Sequence, residues 1–193
     1  MKYVGFLTLT IALFGQPGQQ NIPIRNPSFE DTPGQSRSPK GWMASTPGST
    51  PDIMPGAWGV QFAPQDGQTC VGLVTREDGT CEDIGQGLAQ PLQAGKCYTF
   101  SIYLAHAQKY VGYNHPVRLR VWGGQARGGK EMLLTSSPLV SHSDWKNYKF
   151  LFEPTKNVKY ITLEAWYGAG TTFKYKGNIL LDNCSPIDTC DRA

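Results

Sequence analysis

Apolar and polar residues alternate with a period of two along much of the chain after residue 69. The segments with this pattern are 70–75, 98–105, 117–122, 147–152 and 161–166, and a last apolar segment follows at 179–184. This period is typical of β-strands, because successive side chains point to opposite faces of a sheet. No long segment has apolar residues at helical spacing, so the pattern predicts an all-β fold without the crossover helices of a parallel sheet.

The segment 16–69 has a different composition, rich in Gly, Pro, Ser and Gln with short apolar islands. Such composition predicts loops that join brief strands. The whole chain has 22 Gly and 14 Pro, which suits a protein with many turns. Because no internal repeat is present, we predict one domain over residues 16–193, a β-sandwich in which two sheets share a core.

The N-terminal residues predict a secretory signal peptide over positions 1–15. Lys2 supplies the positive charge, and an apolar run follows at 4–14. The run is shorter than the about 20 residues that a membrane-spanning helix needs. We therefore expect a mature protein without a transmembrane segment, either secreted or located in the periplasm or cell envelope. The alternative is an uncleaved anchor or a buried strand.

Charge and motifs exclude several classes of function. The formal net charge is +3 and the basic residues are scattered, so we expect no nucleic-acid partner. A serine nucleophile elbow and a phosphate-binding glycine loop are absent from the sequence. A carboxylate from the acidic cluster at 77–83 and that of Glu164 could together face a glycosidic bond, which leaves a small glycoside hydrolase as an alternative.

The chain contains an odd number of cysteines, which are Cys70, Cys81, Cys97, Cys184 and Cys190. An exported protein can form disulfides, and an odd count leaves at least one thiol free or paired with another chain. A turn signal between Cys70 and Cys81 favours a local bridge, and Cys97 is expected to pair with Cys184 or Cys190.

Six side chains share the outward phase on three predicted strands and are candidate ligand-binding residues. They are Tyr103, Arg118, Arg120, Trp122, Glu164 and Trp166. An indole ring can stack on the apolar face of a sugar, while Arg and Glu bond to its hydroxyl groups. The alternative is that loops cover these strands and that Trp122 and Trp166 belong to a secondary core.

Short motifs bracket the predicted strands at both ends. The segment 26–30 reads Asn-Pro-Ser-Phe-Glu and is followed by Gly41-Trp42, while the segment 180–183 reads Leu-Leu-Asp-Asn. This layout resembles carbohydrate-binding modules of the CBM4/9/22 type, which are galactose-binding-like jelly rolls. The resemblance implies an all-β jelly-roll sandwich of two antiparallel sheets, with a polysaccharide or other glycan as partner.

The resemblance also implies a structural calcium ion between the first and last strands. At the matching positions Glu30 and Asp182 would be ligands, with backbone oxygens completing the shell. The alternative is that both carboxylates cap turns, because two of them underfill a shell of about six to eight oxygens.

These observations together predict a secreted, non-catalytic carbohydrate-binding module with a lectin-like role. Related sandwich domains also serve in adhesion and assembly. A cell-envelope protein that binds a cell-surface protein is therefore the first alternative, and the small glycoside hydrolase is the second.

Overall fold

The computed structural model describes residues 20–190, which form twelve strands and one short 3-10 turn at Ala57–Gly59. The strands are β1 (Asn21–Ile22), β2 (Asp52–Met54), β3 (Cys70–Thr75), β4 (Asp83–Leu92), β5 (Tyr98–Ala105), β6 (His115–Pro116), β7 (Arg118–Gly124), β8 (Met132–Ser136), β9 (Lys146–Phe152), β10 (Val158–Trp166), β11 (Gly177–Asp182) and β12 (Ile187–Thr189). The predicted signal peptide lies outside the described residues. Within residues 20–190, no helix is long and apolar enough to cross a membrane.

The strands form two sheets. The eight-stranded sheet has the order β1-β12-β5-β11-β3-β2, with β9 paired to β5 and β6 paired to β11. The four-stranded sheet has the order β4-β10-β7-β8. Pairing is antiparallel throughout the part of the chain described, except for the two-residue parallel contact between β6 and β11. The prediction of an all-β protein with two antiparallel sheets is therefore confirmed.

The five segments with the alternating pattern and the apolar segment at 179–184 all form strands, but the longest strand, β4, was not among them. Its sequence contains Gly85, Gly87 and Pro91, which are residues of low strand propensity. The packing of β4 against β10 requires glycine at position 85, because a Cβ atom there would lie 2.7 Å from the carbonyl oxygen of Ile161 on β10. Glycine therefore permits the close approach of these two strands.

One layer of apolar side chains fills the space between the sheets. The eight-stranded sheet contributes among others Phe100, Ile102, Leu104, Ile179 and Leu181, and the four-stranded sheet contributes Ile84, Leu119, Val121, Ile161 and Leu163. These residues occupy alternate positions on their strands, so the predicted inward set is the core.

A second apolar cluster covers part of the outer face of the eight-stranded sheet. It contains Met54, Val60, Val74, Tyr110 and Leu180, with Phe62 and Trp145 packed against it. β3 is consequently buried on both of its faces. The segments that supply Val60, Phe62 and Tyr110 therefore cover the part of this sheet formed by β2, β3 and β11.

The cysteines follow only part of the prediction. Cys97 and Cys190 form a disulfide that ties the start of β5 to the C-terminal end of the described chain. The expected Cys70–Cys81 bridge is wrong, because both thiols are free. Cys81 pairs with Thr75 at the far end of β3, and a six-residue strand therefore separates it from Cys70 by roughly 16 Å. A disulfide requires Cα atoms within about 7 Å.

A buried polar network lies beside β2 and β3. Tyr110 Oη donates to Asp52 Oδ2 at 2.6 Å, and Trp58 Nε1 donates to Asp52 Oδ1 at 3.1 Å. Glu82 pairs with Arg76 in the same region. Burial raises the pKa of Asp52, and it raises the pKa of Glu82 to about 7 even though Arg76 acts in the opposite direction.

The raised pKa of Glu82 predicts that stability falls as pH rises from 4.5, the ordinary value for this group, to about 7. In this interval the folded protein keeps the Glu82 proton while the unfolded chain releases it, so the free energy of unfolding decreases. Glu82→Gln removes this titration and should flatten the pH profile measured by urea unfolding. Part of the slope remains, because burial also raises the pKa of Asp52 and raises that of Asp182 to about 7.

The matched control for this experiment is Glu77→Gln, since Glu77 is exposed and pairs with Lys176 at the surface. It should keep the slope of the unsubstituted protein. The same slope in Glu82→Gln and Glu77→Gln would contradict the proposed titration.

Candidate functional site

Five of the six candidate residues lie together on the outer face of the four-stranded sheet. Arg118, Arg120 and Trp122 belong to β7, and Glu164 and Trp166 belong to the neighbouring β10. Arg120 is the register partner of Glu164, and Arg118 is the partner of Trp166. We name this group the tryptophan face. Its two indole rings are partly exposed rather than buried as a secondary core.

Tyr103 lies elsewhere. It belongs to β5 in the other sheet, where its register partners are Asn147 and Asp182. The structure therefore does not bring Tyr103 to the tryptophan face. Period-two alternation identified the outward phase of β5 but carried no information on which sheet the strand joins.

Glu164 is the hydrogen-bonding centre of the tryptophan face. Trp122 Nε1 donates to Glu164 Oε2 at 2.7 Å, and Lys130 Nζ donates to Glu164 Oε1 at 2.6 Å. Lys130 Nζ also lies 2.6 Å from Asp83 Oδ2 on β4. Burial alone would lower the pKa of Lys130, but the bonds to Asp83 and Glu164 raise it above its usual value.

Asp83 joins this site to the loop at 43–50. Its Oδ1 atom accepts the backbone N–H groups of Ser45 at 2.8 Å and Thr46 at 3.0 Å, and the Thr46 hydroxyl donates to Oδ2. Ser49 Oγ donates to the Asp83 carbonyl oxygen at 2.8 Å. The loop thus covers the β4 side of the sheet, and Asp83 has no exposed surface.

The loop that carries Lys130 needs a glycine to reach this position. Gly128 has φ +74, and a Cβ atom there would lie 2.8 Å from the carbonyl oxygen of Ser45. Sequence reasoning missed both Lys130 and its role, because a single lysine after Gly128-Gly129 is not distinguished from any other exposed loop cation.

Cationic groups lie over the aromatic rings of the face. The Arg120 Cζ atom is 3.8 Å from the centroid of Trp166 and 5.8 Å from that of Trp122. Lys174 Nζ is 5.7 Å from the Trp166 centroid. Burial and the neighbouring Arg118 lower the pKa of Arg120, although Glu164 acts in the opposite direction.

A cavity of about 510 Å³ opens next to these groups. Its walls include Thr46, Lys130, Glu164, Trp166 and the turn at 78–81. The site therefore combines an aromatic surface with charged hydrogen-bonding groups at one side of an open cavity. Such a combination suits a ligand that has apolar faces and hydroxyl edges.

The predicted calcium ligands both bind a single loop, at 65–69. Glu30 Oε1 accepts the N–H groups of Gln68 at 2.9 Å and Thr69 at 3.0 Å. Asp182 Oδ2 accepts those of Gln65 at 2.7 Å and Asp66 at 3.1 Å. The two carboxylates thus bind the same loop, although Glu30 belongs to the N-terminal motif and Asp182 to the C-terminal motif.

The fit of this region to calcium is partial. Residues 20–190 contain no group of three or more His, Cys, Asp or Glu side chains arranged for a metal ion, so backbone carbonyls would have to complete the shell. In favour of a cation, Asp66 lies near enough to contribute to raising the pKa of Asp182, although burial is the larger cause. The seven ion pairs of the described chain leave Glu30, Asp66 and Asp182 without a basic partner.

No protein-family model matches the sequence, and the search of curated proteins found no match. Solved structures, in contrast, share its fold. The arabinose-bound α-L-arabinofuranosidase MgGH51 is 12% identical with a TM-score of 0.60, and the similarity covers 90% of this chain but only 27% of the enzyme.

Two further structures match over nearly their whole length. The CBM22-1 xylan-binding domain of Xyn10C from Paenibacillus barcinonensis is 15% identical with a TM-score of 0.51, and the match covers 86% of this chain and 93% of that domain. The K1 cleaved adhesin domain of Lys-gingipain from Porphyromonas gingivalis W83 is 10% identical with a TM-score of 0.52. The match covers 91% of this chain and 99% of that domain. The chain therefore has the jelly-roll fold of carbohydrate-binding modules, as the terminal motifs predicted.

Lys130 is expected to stabilise the protein because it forms ion pairs with two buried carboxylates. Lys130→Met leaves Asp83 and Glu164 without this partner and should lower the free energy of unfolding by about 3 kcal/mol. Urea unfolding at neutral pH measures the change. Lys159→Met, at an exposed position on β10, is the control and should alter stability by less than about 0.5 kcal/mol. Equal effects of the two substitutions would show that the bridge contributes no stability.

Proposed function

We propose that this protein is an exported, non-catalytic carbohydrate-binding module that binds a polysaccharide or other glycan on the tryptophan face. The observation that carries the proposal is the position of Trp122 and Trp166, two partly exposed indoles on adjacent strands, with Arg120 and Glu164 between them. The jelly-roll fold supports it, because solved relatives in fold include a xylan-binding domain.

The chemistry of the tryptophan face matches that of a sugar. A pyranose ring presents C–H groups on its faces, which pack on an indole, and hydroxyl groups on its edge. Arg120 offers several N–H donors in a fixed plane, and Glu164 accepts. Since Trp122 and Lys130 already bond to Glu164, its carboxylate is held in place before a ligand arrives, and this reduces the ordering cost of binding.

Binding without cleavage is supported by the state of Glu164, which the predicted hydrolase would pair with a carboxylate of the cluster at 77–83. A glycosidase needs two carboxyl groups that reach the scissile bond. Asp83 has no exposed surface, and Lys130 pairs with both Asp83 and Glu164. The arabinofuranosidase of similar fold gives no support for catalysis, because this chain spans 27% of it.

Export is proposed on two grounds. The apolar run after Lys2 has the length of a signal-peptide core. The Cys97–Cys190 disulfide suits an oxidising compartment outside the cytosol.

The first test is binding to a panel of soluble polysaccharides that includes xylan, followed by titration of the best ligand. Trp166→Ala should weaken that interaction by roughly tenfold or more, because the ring loses an apolar contact area worth about 1.5–3 kcal/mol. Trp58→Ala is the matched control, since Trp58 is 42% exposed but lies beside Asp52, away from the tryptophan face. Unchanged affinity in Trp166→Ala would reject the proposed face.

We also propose a structural calcium ion held by Glu30, Asp182 and backbone carbonyls near the loop at 65–69. An ion that binds only the folded state raises stability, so calcium at about 100 times its dissociation constant should raise the thermal midpoint by about 5 °C or more. A chelator should reverse the shift. Glu30→Gln should abolish the response to calcium, whereas Glu131→Gln, at an exposed site, should retain it. A midpoint that calcium and chelator leave unchanged would reject the site.

An adhesion or assembly module is the second candidate. It is favoured by the similarity to the adhesin domain of Lys-gingipain, which the chain covers almost completely. A covalent partner is less well supported, because Cys70, Cys81 and Cys184 are all buried. Absence of binding across the polysaccharide panel, by a folded sample, would favour this candidate over the first.

A further inference from the structure

A second cavity, of about 610 Å³, lies where β7 begins and β10 ends. We name it the Arg118 cavity, and its walls include His115, Pro116, Arg118, Leu139, Ala169 and Tyr175. Arg118 is the register partner of Trp166, so the cavity adjoins the tryptophan face. It is separate from the cavity beside Lys130, because the two share no lining residue.

Tyr175 forms a fixed wall of this cavity. Its Oη atom accepts the N–H group of Gly168 at 2.8 Å and donates to the carbonyl oxygen of Pro116 at 3.0 Å. The ring of His115 meets it edge-on, with centroids 5.6 Å apart. The hydroxyl proton of Tyr175 is thus engaged within the protein, and the ring serves as an apolar surface together with Leu139.

The other hydroxyl groups of the cavity are engaged as well. Ser137 Oγ donates to the carbonyl oxygen of Pro138 at 2.7 Å, and Thr171 Oγ1 donates to that of Gly168 at 2.8 Å. Arg118 and His115 therefore remain as the side chains whose N–H groups a ligand could reach. A ligand of this cavity must accept hydrogen bonds.

Arg118 brings a positive charge that the described chain does not neutralise. Its Nε atom is buried without a hydrogen-bond partner, as is that of Arg120, so the donors that Arg118 can offer to a ligand are its terminal Nη groups. None of the seven ion pairs within residues 20–190 includes Arg118, and no Asp or Glu lines the cavity. A carboxylate is the group that best satisfies such a guanidinium, because its two oxygens match two N–H donors of the planar fork.

We propose that the Arg118 cavity is a second binding site that takes the carboxylate of an acidic sugar, such as a uronic acid residue. The guanidinium holds the carboxylate, and the Tyr175 ring and Leu139 contact the C–H surface of the sugar. The volume of about 610 Å³ falls within the range of about 300–1,000 Å³ that small-molecule sites occupy. The inference rests on the proposed function in assuming that the ligand is a sugar.

The test is to titrate the folded protein separately with glucuronate, glucose and acetate and to monitor binding by NMR chemical shifts. Glucuronate should bind about tenfold or more tightly than either of the others, as expected for a charge-assisted hydrogen bond combined with ring contacts. Arg118→Gln should lose this preference. Ala169→Trp, which fills the cavity while keeping Arg118, should abolish glucuronate binding. Arg127→Gln, at an exposed loop position, should leave it unchanged.

Three outcomes would overturn the proposal. Equal affinity for glucose and glucuronate would show that the carboxylate does not contribute to binding. Equal affinity for acetate and glucuronate would show that the sugar ring does not contribute. Binding retained in Ala169→Trp would locate the ligand elsewhere. Trp122→Ala separates this inference from the proposed function, because it should weaken binding of a neutral polysaccharide on the tryptophan face and leave glucuronate binding intact.

Discussion

The structure depends on the burial of one apolar layer between two sheets. β5, β7 and β10 each give alternate residues to that layer, so the remaining residues of the same strands must point away from it. A shift of one residue would expose the whole apolar set, at about 25 cal/mol for each Å² returned to water, and the register is therefore strongly fixed. The positions of Arg120, Trp122 and Glu164 on the outer face are a consequence of this core, because Leu119, Val121 and their neighbours occupy its inner side.

The two outer faces of the sandwich have different environments, and this difference concentrates the binding chemistry. The cluster around Met54 and Tyr110 packs against the eight-stranded sheet. On the four-stranded sheet, the loop at 43–50 covers the β4 side, while the aromatic rings on β7 and β10 stay partly exposed. Lys130 lies between the part of the sheet that the loop covers and the exposed aromatic rings. It pairs with Asp83 beneath the loop and with Glu164 beside the rings.

The alternating pattern predicted five strands, an apolar run predicted the sixth, and the alternation gave the outward phase of every tryptophan-face residue. It failed for β4, where Gly85 and Gly87 weaken the signal although the close approach to β10 requires a small residue. Tyr103 shares the outward phase but belongs to the opposite sheet, since alternation along one strand does not say which strands pair. The Cys97–Cys190 disulfide was one of two pairings left open by the sequence, and the position of β12 beside β5 decided between them.

By itself, the sequence determined the fold class and which side of each clear strand leaves the core, because both follow from local periodicity and apolar content. The terminal motifs added the jelly-roll architecture. Tertiary structure alone decided which outward residues meet. Asp83, Lys130 and Glu164 come from positions far apart in the chain, and their bridge exists only once two loops close over β4 and β10. The unneutralised charge of Arg118 is equally a tertiary property, because it depends on every described segment that lines the cavity, and none of these segments places an Asp or Glu there.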